Sequence, residues 1–247
     1  MKIFILLLLT LSLWANIGNI MAIKGSADVK RGEKTLNATN GMVLEKGDTL
    51  LTAKKSRIQV MLQDETVVTI GSNSSFSFEE YFYDSSKNSK LTMRANRGFF
   101  RSVTGEIGKL APERFKVKTV SATIGIRGTD FSGNILGESE VFKCYEGAIF
   151  VEFEGAQQEL DAGMMAEIFK GKFDVKKFDM SKAPKELSKL KGMVIKAIDE
   201  GVVPTEAIAD ITQIVEDETN VAENPDDDIE EDLNVITTSA EDRPQQY

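Results

Sequence analysis

The sequence predicts an all-β main domain. Short runs alternate apolar with polar residues, β-branched and aromatic side chains fill them, and Gly, Asn and Ser clusters separate them. No helical run interrupts these segments between Ile23 and about Phe178. Frequent short strands without intervening helices point to antiparallel hairpins packed as a sandwich, a roll or a solenoid-like stack. The predicted layout is a signal peptide over 1–22, a β domain over 23–180, a helical hairpin over 181–219 and a disordered acidic tail over 220–247.

The leader has a short positive start at Lys2 and an apolar run from Ile3 to Leu13 broken by Thr10 and Ser12. Eleven residues fall short of the ~20 that span a bilayer, so the layout is that of a secretory signal peptide. Cleavage is expected between Ala22 and Ile23, with a cut after Ala15 as the alternative. No cysteine lies near either point, which argues against a lipid anchor, and no later stretch is apolar enough to span a membrane.

Within the domain, Ala22 to Val29 opens the first strand, and Thr49 to Leu51 follows the Gly47-Asp48 turn. Arg57 to Leu62 and Thr66 to Ile70 flank Gln63-Asp64-Glu65, and Phe76-Ser77-Phe78 follows Gly71-Ser72-Asn73-Ser74. Leu91 to Ala95 and Gly98 to Val103 come after a polar loop. Phe115, Val117, Thr119 and Ser121 share one strand face. Two strands are expected around Glu146-Gly147 and another after Leu160-Asp161-Ala162-Gly163. Beyond Ser181, Leu187, Leu190, Val194, Ala197 and Ile198 recur at helical spacing, and Pro204 opens a second helix after Gly201.

Charge is split along the chain. Sixteen acidic residues and one basic residue follow Ala197, whereas Ile23 to Lys196 holds twenty-eight basic and twenty-three acidic residues. An acidic tail is thus attached to a slightly basic body whose charges are interspersed, and a nucleic-acid surface is not indicated. The run N-P-D-D-D-I-E-E-D lacks the glycine and glutamate positions of a calcium loop.

The chain has no histidine and one cysteine, Cys144, expected as a small buried hydrophobe. The commonest general base, the Ser-His-Asp arrangement, a thiolate metal site and an intramolecular disulfide are therefore excluded. Carboxylate pairs remain the one catalytic option, with Glu79-Glu80 and Glu152/Glu154 as candidates by type. Glu152 and Glu154 share a strand face, expected as a solvated edge of an exposed hairpin, and the chain is read as a non-enzyme without cofactor or metal.

The most distinctive stretch is F-K-V-K-T-V-S-A-T-I-G-I-R-G-T-D-F, from Phe115 to Phe131. Gly125 and Gly128 suit positive φ in a sharp reversal, Arg127 suits bidentate pairing with a carboxylate, Thr129 suits local backbone bonding, and Phe131 suits a return to the core. On these terms the motif is a fold-holding turn rather than a contact surface.

The same stretch resembles the FecR domain family, whose strand ends in a G-x-R-G-T-x-F turn. Gly47-Asp48-Thr49-Leu50-Leu51-Thr52 resembles the family's G-D-x-[IL]-x-T element, and Asp64-Glu65-Thr66 its D-G-[ST] turn with Glu65 in place of glycine. Gly71 to Ser74 and Arg97 to Phe100 match weaker elements, Val141 to Val151 resembles a hairpin turning at Gly147, and Leu160 to Met164 resembles L-x-A-G-[EQ]. The resemblance runs from about Ile23 to Phe169. It implies an extracytoplasmic β domain used for binding. The namesakes also carry a cytoplasmic anti-sigma segment and a spanning helix, whereas only Met1 and Lys2 precede the apolar segment here. The expectation is a periplasmic, secreted or surface adaptor in a bacterial envelope. Its partner would be an envelope protein or a glycan. A peptidoglycan- or polysaccharide-binding protein and a soluble signal-receiving component are the alternatives.

Overall fold

Strand alternation sends one side of each segment inward, and the observed burial follows it. The computed structural model describes residues 16–180. Fifteen strands hydrogen-bond into one continuous sheet there. They are β1 (Asn16–Lys24), β2 (Ala27–Arg31), β3 (Lys34–Asn37), β4 (Val43–Glu45), β5 (Thr49–Thr52), β6 (Arg57–Leu62), β7 (Val67–Ile70) and β8 (Ser75–Phe82). The long β9 (Lys90–Val103) leads through a short helix α1 (Glu106–Leu110) and a 3-10 turn (Pro112–Arg114) to β10 (Phe115–Lys118). Two more long strands, β11 (Ala122–Leu136) and β12 (Ser139–Phe153), precede β13 (Ala156–Asp161), β14 (Met164–Phe169) and β15 (Lys172–Lys177).

Three long strands each serve two halves of this sheet. β9 pairs with β8 and β10 through its first residues, and with β7 and β11 through its last. β11 changes partner from β10 to β9, and β12 from β14 to β13. One half therefore runs β3-β2-β5-β8-β9-β10-β11-β12-β13, and the other runs β4-β1-β6-β7-β9-β11-β12-β14-β15. A single apolar cluster joins Ile17 and Ile58 of one half to Leu50 and Phe78 of the other. The Phe76, Phe100 and Phe131 rings form its spine, with successive centroids 5.4 and 5.9 Å apart. Each fully buried ring or branched aliphatic of this kind contributes about 1.5–3 kcal/mol by leaving water. The all-β expectation holds, as a sheet doubled over a shared core. The pairing of β9 with β10 is parallel, and α1 and the 3-10 turn supply the crossover it requires.

Two expected turns are bends within strands. The G-x-R-G-T-x-F segment does not end a strand, because it lies inside β11 and shifts the register between Arg127 and Phe131. Likewise Glu146-Gly147 does not separate two strands but kinks the single strand β12 opposite that shift. Gly128 (φ +58°) and Gly147 (φ +73°) take the left-handed conformation, and a Cβ on Gly147 would lie 1.9 Å from the Gly128 carbonyl oxygen. Gly125, expected to share this role, instead sits in regular pairing opposite Lys116 and Phe150. β10 ends at Lys118, so Ser121 belongs to the following turn rather than to its inner face.

The first strand also differs. β1 starts at Asn16 and runs through the expected cleavage point at Ala22–Ile23, and β2 is a separate strand. Ile17 and Ile20, on the wrong side of that point, are fully buried. The described β region thus begins seven residues (Asn16 to Ala22) before the boundary expected at Ile23. The expected helical hairpin over 181–219 and acidic tail over 220–247 lie outside the described residues. Among the described residues, no helix is long and apolar enough to cross a membrane.

Gly147→Ala combines a left-handed residue with a backbone clash. We expect a loss of at least ~2 kcal/mol, read as a lower urea midpoint with an unchanged slope.

Candidate functional site

The residues singled out in the sequence gather at the bends. Asp48 of the G-D-T-L-L-T segment is fully buried. Its carboxylate takes two hydrogen bonds from Arg31, from Nε at 2.8 Å and Nη2 at 2.7 Å, and a third from the Glu45 N–H at 2.9 Å. The bond to Asp48 raises the Arg31 pKa further above its ordinary value, against the opposing effect of burial. Gly47 (φ +90°) makes the turn before it and donates its N–H to the Phe78 carbonyl. Thr52, four residues on, donates its hydroxyl to the Gly71 carbonyl at 2.5 Å and accepts from the Ser74 N–H at 2.9 Å. Ser74 accepts from the Phe99 N–H, and Arg97 donates to the Asn73 carbonyl at 2.8 Å. Three separate sequence elements, around Thr52, Gly71–Ser74 and Arg97–Phe99, therefore close one corner.

Asp64 organises a second corner. It is fully buried and accepts from the Thr66 hydroxyl (2.7 Å), the Tyr81 hydroxyl (3.3 Å) and the Ile107 N–H (3.2 Å), while its own N–H donates to the Tyr81 oxygen. Its carbonyl accepts from the Glu106 N–H at 2.7 Å, so one residue anchors the start of α1. Burial raises the Asp64 pKa, and the hydrogen bonds from Thr66, Ile107 and Tyr81 oppose it. Burial and the adjacent Asp64 carboxylate push the Tyr81 phenol up. Glu65, which replaces the resemblance's glycine, adopts φ +65°, so the turn keeps the left-handed conformation despite the substitution.

At the β11 bend, Thr129 pairs through its backbone with Thr104: its N–H donates to the Thr104 hydroxyl (3.0 Å), and its carbonyl accepts from the Thr104 N–H (3.0 Å). The expected local bond from the Thr129 hydroxyl is absent. Asp130 receives Arg101 in a bidentate, nearly buried pair at 2.8 and 2.6 Å, and the Arg101 guanidinium lies over the Tyr145 ring at 4.6 Å. Phe131 returns to the core as expected. Cys144 is buried at the same bend, and burial pushes its thiol up to about 11, fitting the inert role expected of it. Glu140, absent from the candidates, is buried and accepts from Thr119, the Ser121 hydroxyl and the Ser121 N–H at 2.5–2.9 Å. A lone glutamate in an alternating run carries no signal for this role.

Arg127 departs from its expected part. Among the described residues it makes a single ion pair, from Nη2 to Glu159 Oε1 at 2.7 Å, and its side chain is 63% exposed. Its guanidinium lies 5.8 Å from the Phe150 ring. The outer face of this half carries two registered rows: Arg94, Lys118, Thr123 and Glu152, then Thr92, Lys116, Gly125 and Phe150. Arg94 and Lys118 both pair with Glu79 there. A shallow depression of about 340 Å³ opens beside the first row, under the Thr119–Thr123 turn, where Val120 is 69% exposed.

The carboxylates proposed by type are tied up or apart. Burial raises the Glu79 pKa, but Arg94 and Lys118 outweigh it and hold the carboxyl below its ordinary value; Lys90 and Thr92 do the same for Glu80. Glu154 lies in the β12–β13 turn (φ +49°), so it does not share a strand face with Glu152 as expected. Tyr81 is spoken for by Asp64, whereas Phe82 is 53% exposed. Among the described residues, no group of His, Cys, Asp and Glu is placed to hold a metal ion.

The class defined by these features is an all-β domain whose bends are pinned by buried polar residues. Residues 48–150 match the model of the FecR protein family, so a FecR domain lies within this chain. The match begins at Asp48 and ends at Phe150, so β1 to β4 lie before it. Two crystal structures of a candidate anti-sigma factor from Parabacteroides distasonis are similar at 18% identity, with TM-scores of 0.45 and 0.46. Each alignment covers 54% of this chain and 61% of that one, so the chain spans about three fifths of the length of those relatives. No curated protein matches this chain.

Two measurements test this account of the bends. Glu65→Gly relieves a left-handed non-glycine residue and is expected to add ~1 kcal/mol of stability in urea unfolding. A raised carboxyl pKa in the folded state means that the native form holds its proton longer than the unfolded form. The resulting stability is full below about pH 3.8 and fades as pH rises through the raised value. The Tm difference between the wild type and Asp64→Asn is therefore expected to be most favourable to the wild type in acid and to shrink toward neutrality.

Proposed function

We propose that this FecR-domain protein is a non-catalytic binding module, exported to the bacterial envelope, that acts as an adaptor or signal-receiving component for an envelope protein. The observation that carries this reading is the division of labour within the motif. Asp48, Thr52, Thr129, Asp130 and Phe131 are buried in the architecture, whereas Arg127 is presented to solvent beside Phe150. Arg127 spends one donor on Glu159 Oε1, which leaves its fork available to a partner carboxylate. Lys116 and Lys118 on the neighbouring strand give the same face a basic stripe that favours an acidic protein segment. The family match agrees with a signalling module. The carboxylates of this face are paired with cations or separated, which supports binding over acid–base chemistry.

The test is in-cell crosslinking of the tagged full chain followed by mass spectrometry, with Arg127→Ala and Phe150→Ala compared to wild type. An exposed ion pair contributes at most ~1 kcal/mol, so Arg127→Ala should melt within a few degrees of wild type. One dominant envelope protein, lost in either variant, is the expected result. Retention on purified peptidoglycan without any crosslinked protein would replace this reading with glycan binding, for which exposed Phe82 offers a stacking surface.

A further inference from the structure

We infer that the leader is removed between Ala15 and Asn16, seven residues before the cut expected at Ala22–Ile23, and that the mature protein begins with an interior strand. This inference rests on the export proposed above. It is carried by how β1 is held. Toward one neighbour it pairs from Gly18 to Lys24 with Leu62 to Arg57 of β6, and toward the other it pairs with Val43–Glu45 of β4. Ile17 and Ile20 are fully buried in the core cluster that also holds Leu44, Ile58 and Leu62. The Ile17 carbonyl accepts from the Gln63 N–H (3.0 Å), and Ile20 bonds both Met42 and Gly41 through its backbone (2.9 and 2.8 Å). Gly18 is fitted to β6 so closely that a Cβ would lie 2.3 Å from the Met61 carbonyl oxygen.

A cut after Ala22 would discard most of this strand. It would strip both isoleucines from the core and leave the carbonyl and N–H groups of β4 and β6 facing a gap. It would also set a charged α-ammonium on half-buried Ile23, next to the end of β1 and opposite Ile58. A cut after Ala15 avoids each of these costs. Ala15 supplies the small residue that a signal peptidase requires, directly behind the apolar run. Hydrolysis of that amide by water leaves the carboxylate on Ala15, which departs with the leader, and a new α-ammonium on Asn16. Asn16 is exposed, so the charge stays hydrated, and its side-chain oxygen accepts from the Gly18 N–H at 2.9 Å to close the start of the strand.

The experiment is to produce the full chain with a C-terminal tag in a Gram-negative host and fractionate the cells. The first residue of the purified protein is then read by intact mass and N-terminal sequencing. The expected result is an Asn16 start in the envelope or external fraction, with Ala15→Gln blocking processing and Ala22→Gln leaving it unchanged. An Ile23 start overturns the inference and leaves export standing. An uncleaved chain held in the membrane with its domain outside also overturns the cut alone, whereas an uncleaved chain in the cytoplasm overturns the export reading with it. As a second measurement, a chain started at Asn16 should unfold cooperatively in urea and one started at Ile23 should not. Equal transitions for the two would remove the physical ground for the assignment.

Discussion

The domain depends on three strands belonging to two layers at once. A strand that crosses from one half of the sheet to the other must bend, and each bend breaks the regular ladder and orphans backbone groups. The polar residues of the motifs answer that problem. Ser74 and Thr52 serve the bend of β9, and Thr104 serves the bend of β11. The bends of β11 and β12 coincide because the backbone of Gly147 rests against that of Gly128. Neither strand can turn without the other, so the core residues on both sides, Ile126 and Phe131 on β11 and Cys144 and Ile149 on β12, are placed together.

Buried charge follows the same logic. Asp48 with Arg31 and Asp130 with Arg101 are bidentate pairs in which most hydrogen-bonding capacity is used. Such pairs add little net stability over apolar packing, but removing one partner leaves a stranded ion and costs ~3–5 kcal/mol. Their effect is to specify geometry. A carboxylate that must meet a fork from a distant strand admits one register. That matters in a sheet where a one-residue slip would turn every apolar side chain outward.

Much of this was legible in the sequence, and the misses at the bends have a physical cause. Period-two alternation gave β6, β8 and β10, and Gly-Asp before Thr49 marked a real turn. The double-glycine segment was misjudged as a chain reversal because a bulge and a turn ask for the same residues, a glycine at positive φ beside polar groups. Only pairing on both sides, Arg127 with Ala148 and Phe131 with Cys144, shows that the strand continues. Arg127 departs from its expected role for the same reason. The bulge turns Asp130 inward to Arg101 and leaves Arg127 outside, and a local pattern cannot say which of two charged neighbours faces in. Glu140 was invisible because its donors, Thr119 and Ser121, come from a different hairpin.

The described β region starts ahead of the expected Ile23 for a different reason. An apolar signal sequence and a strand buried on its inner face both draw on large aliphatic residues, and here only Asn16 and Asn19 interrupt the apolar character between Ile3 and Ile23 beyond Thr10 and Ser12. N-I-G-N-I-M-A, residues 16–22, extends the apolar character of the run before it, so composition alone groups it with the expected signal peptide. The family match does not correct this, since it begins at Asp48, where the motif residues begin. Core membership and motif membership are therefore separate properties of this fold. Motifs mark the bends, where backbone geometry restricts the residue type. β1 needs only aliphatic bulk at Ile17 and Ile20 and a missing side chain at Gly18, which many sequences can satisfy. Its place is set by the partners on either side, β4 and β6, and by the cavity that its absence would open between them.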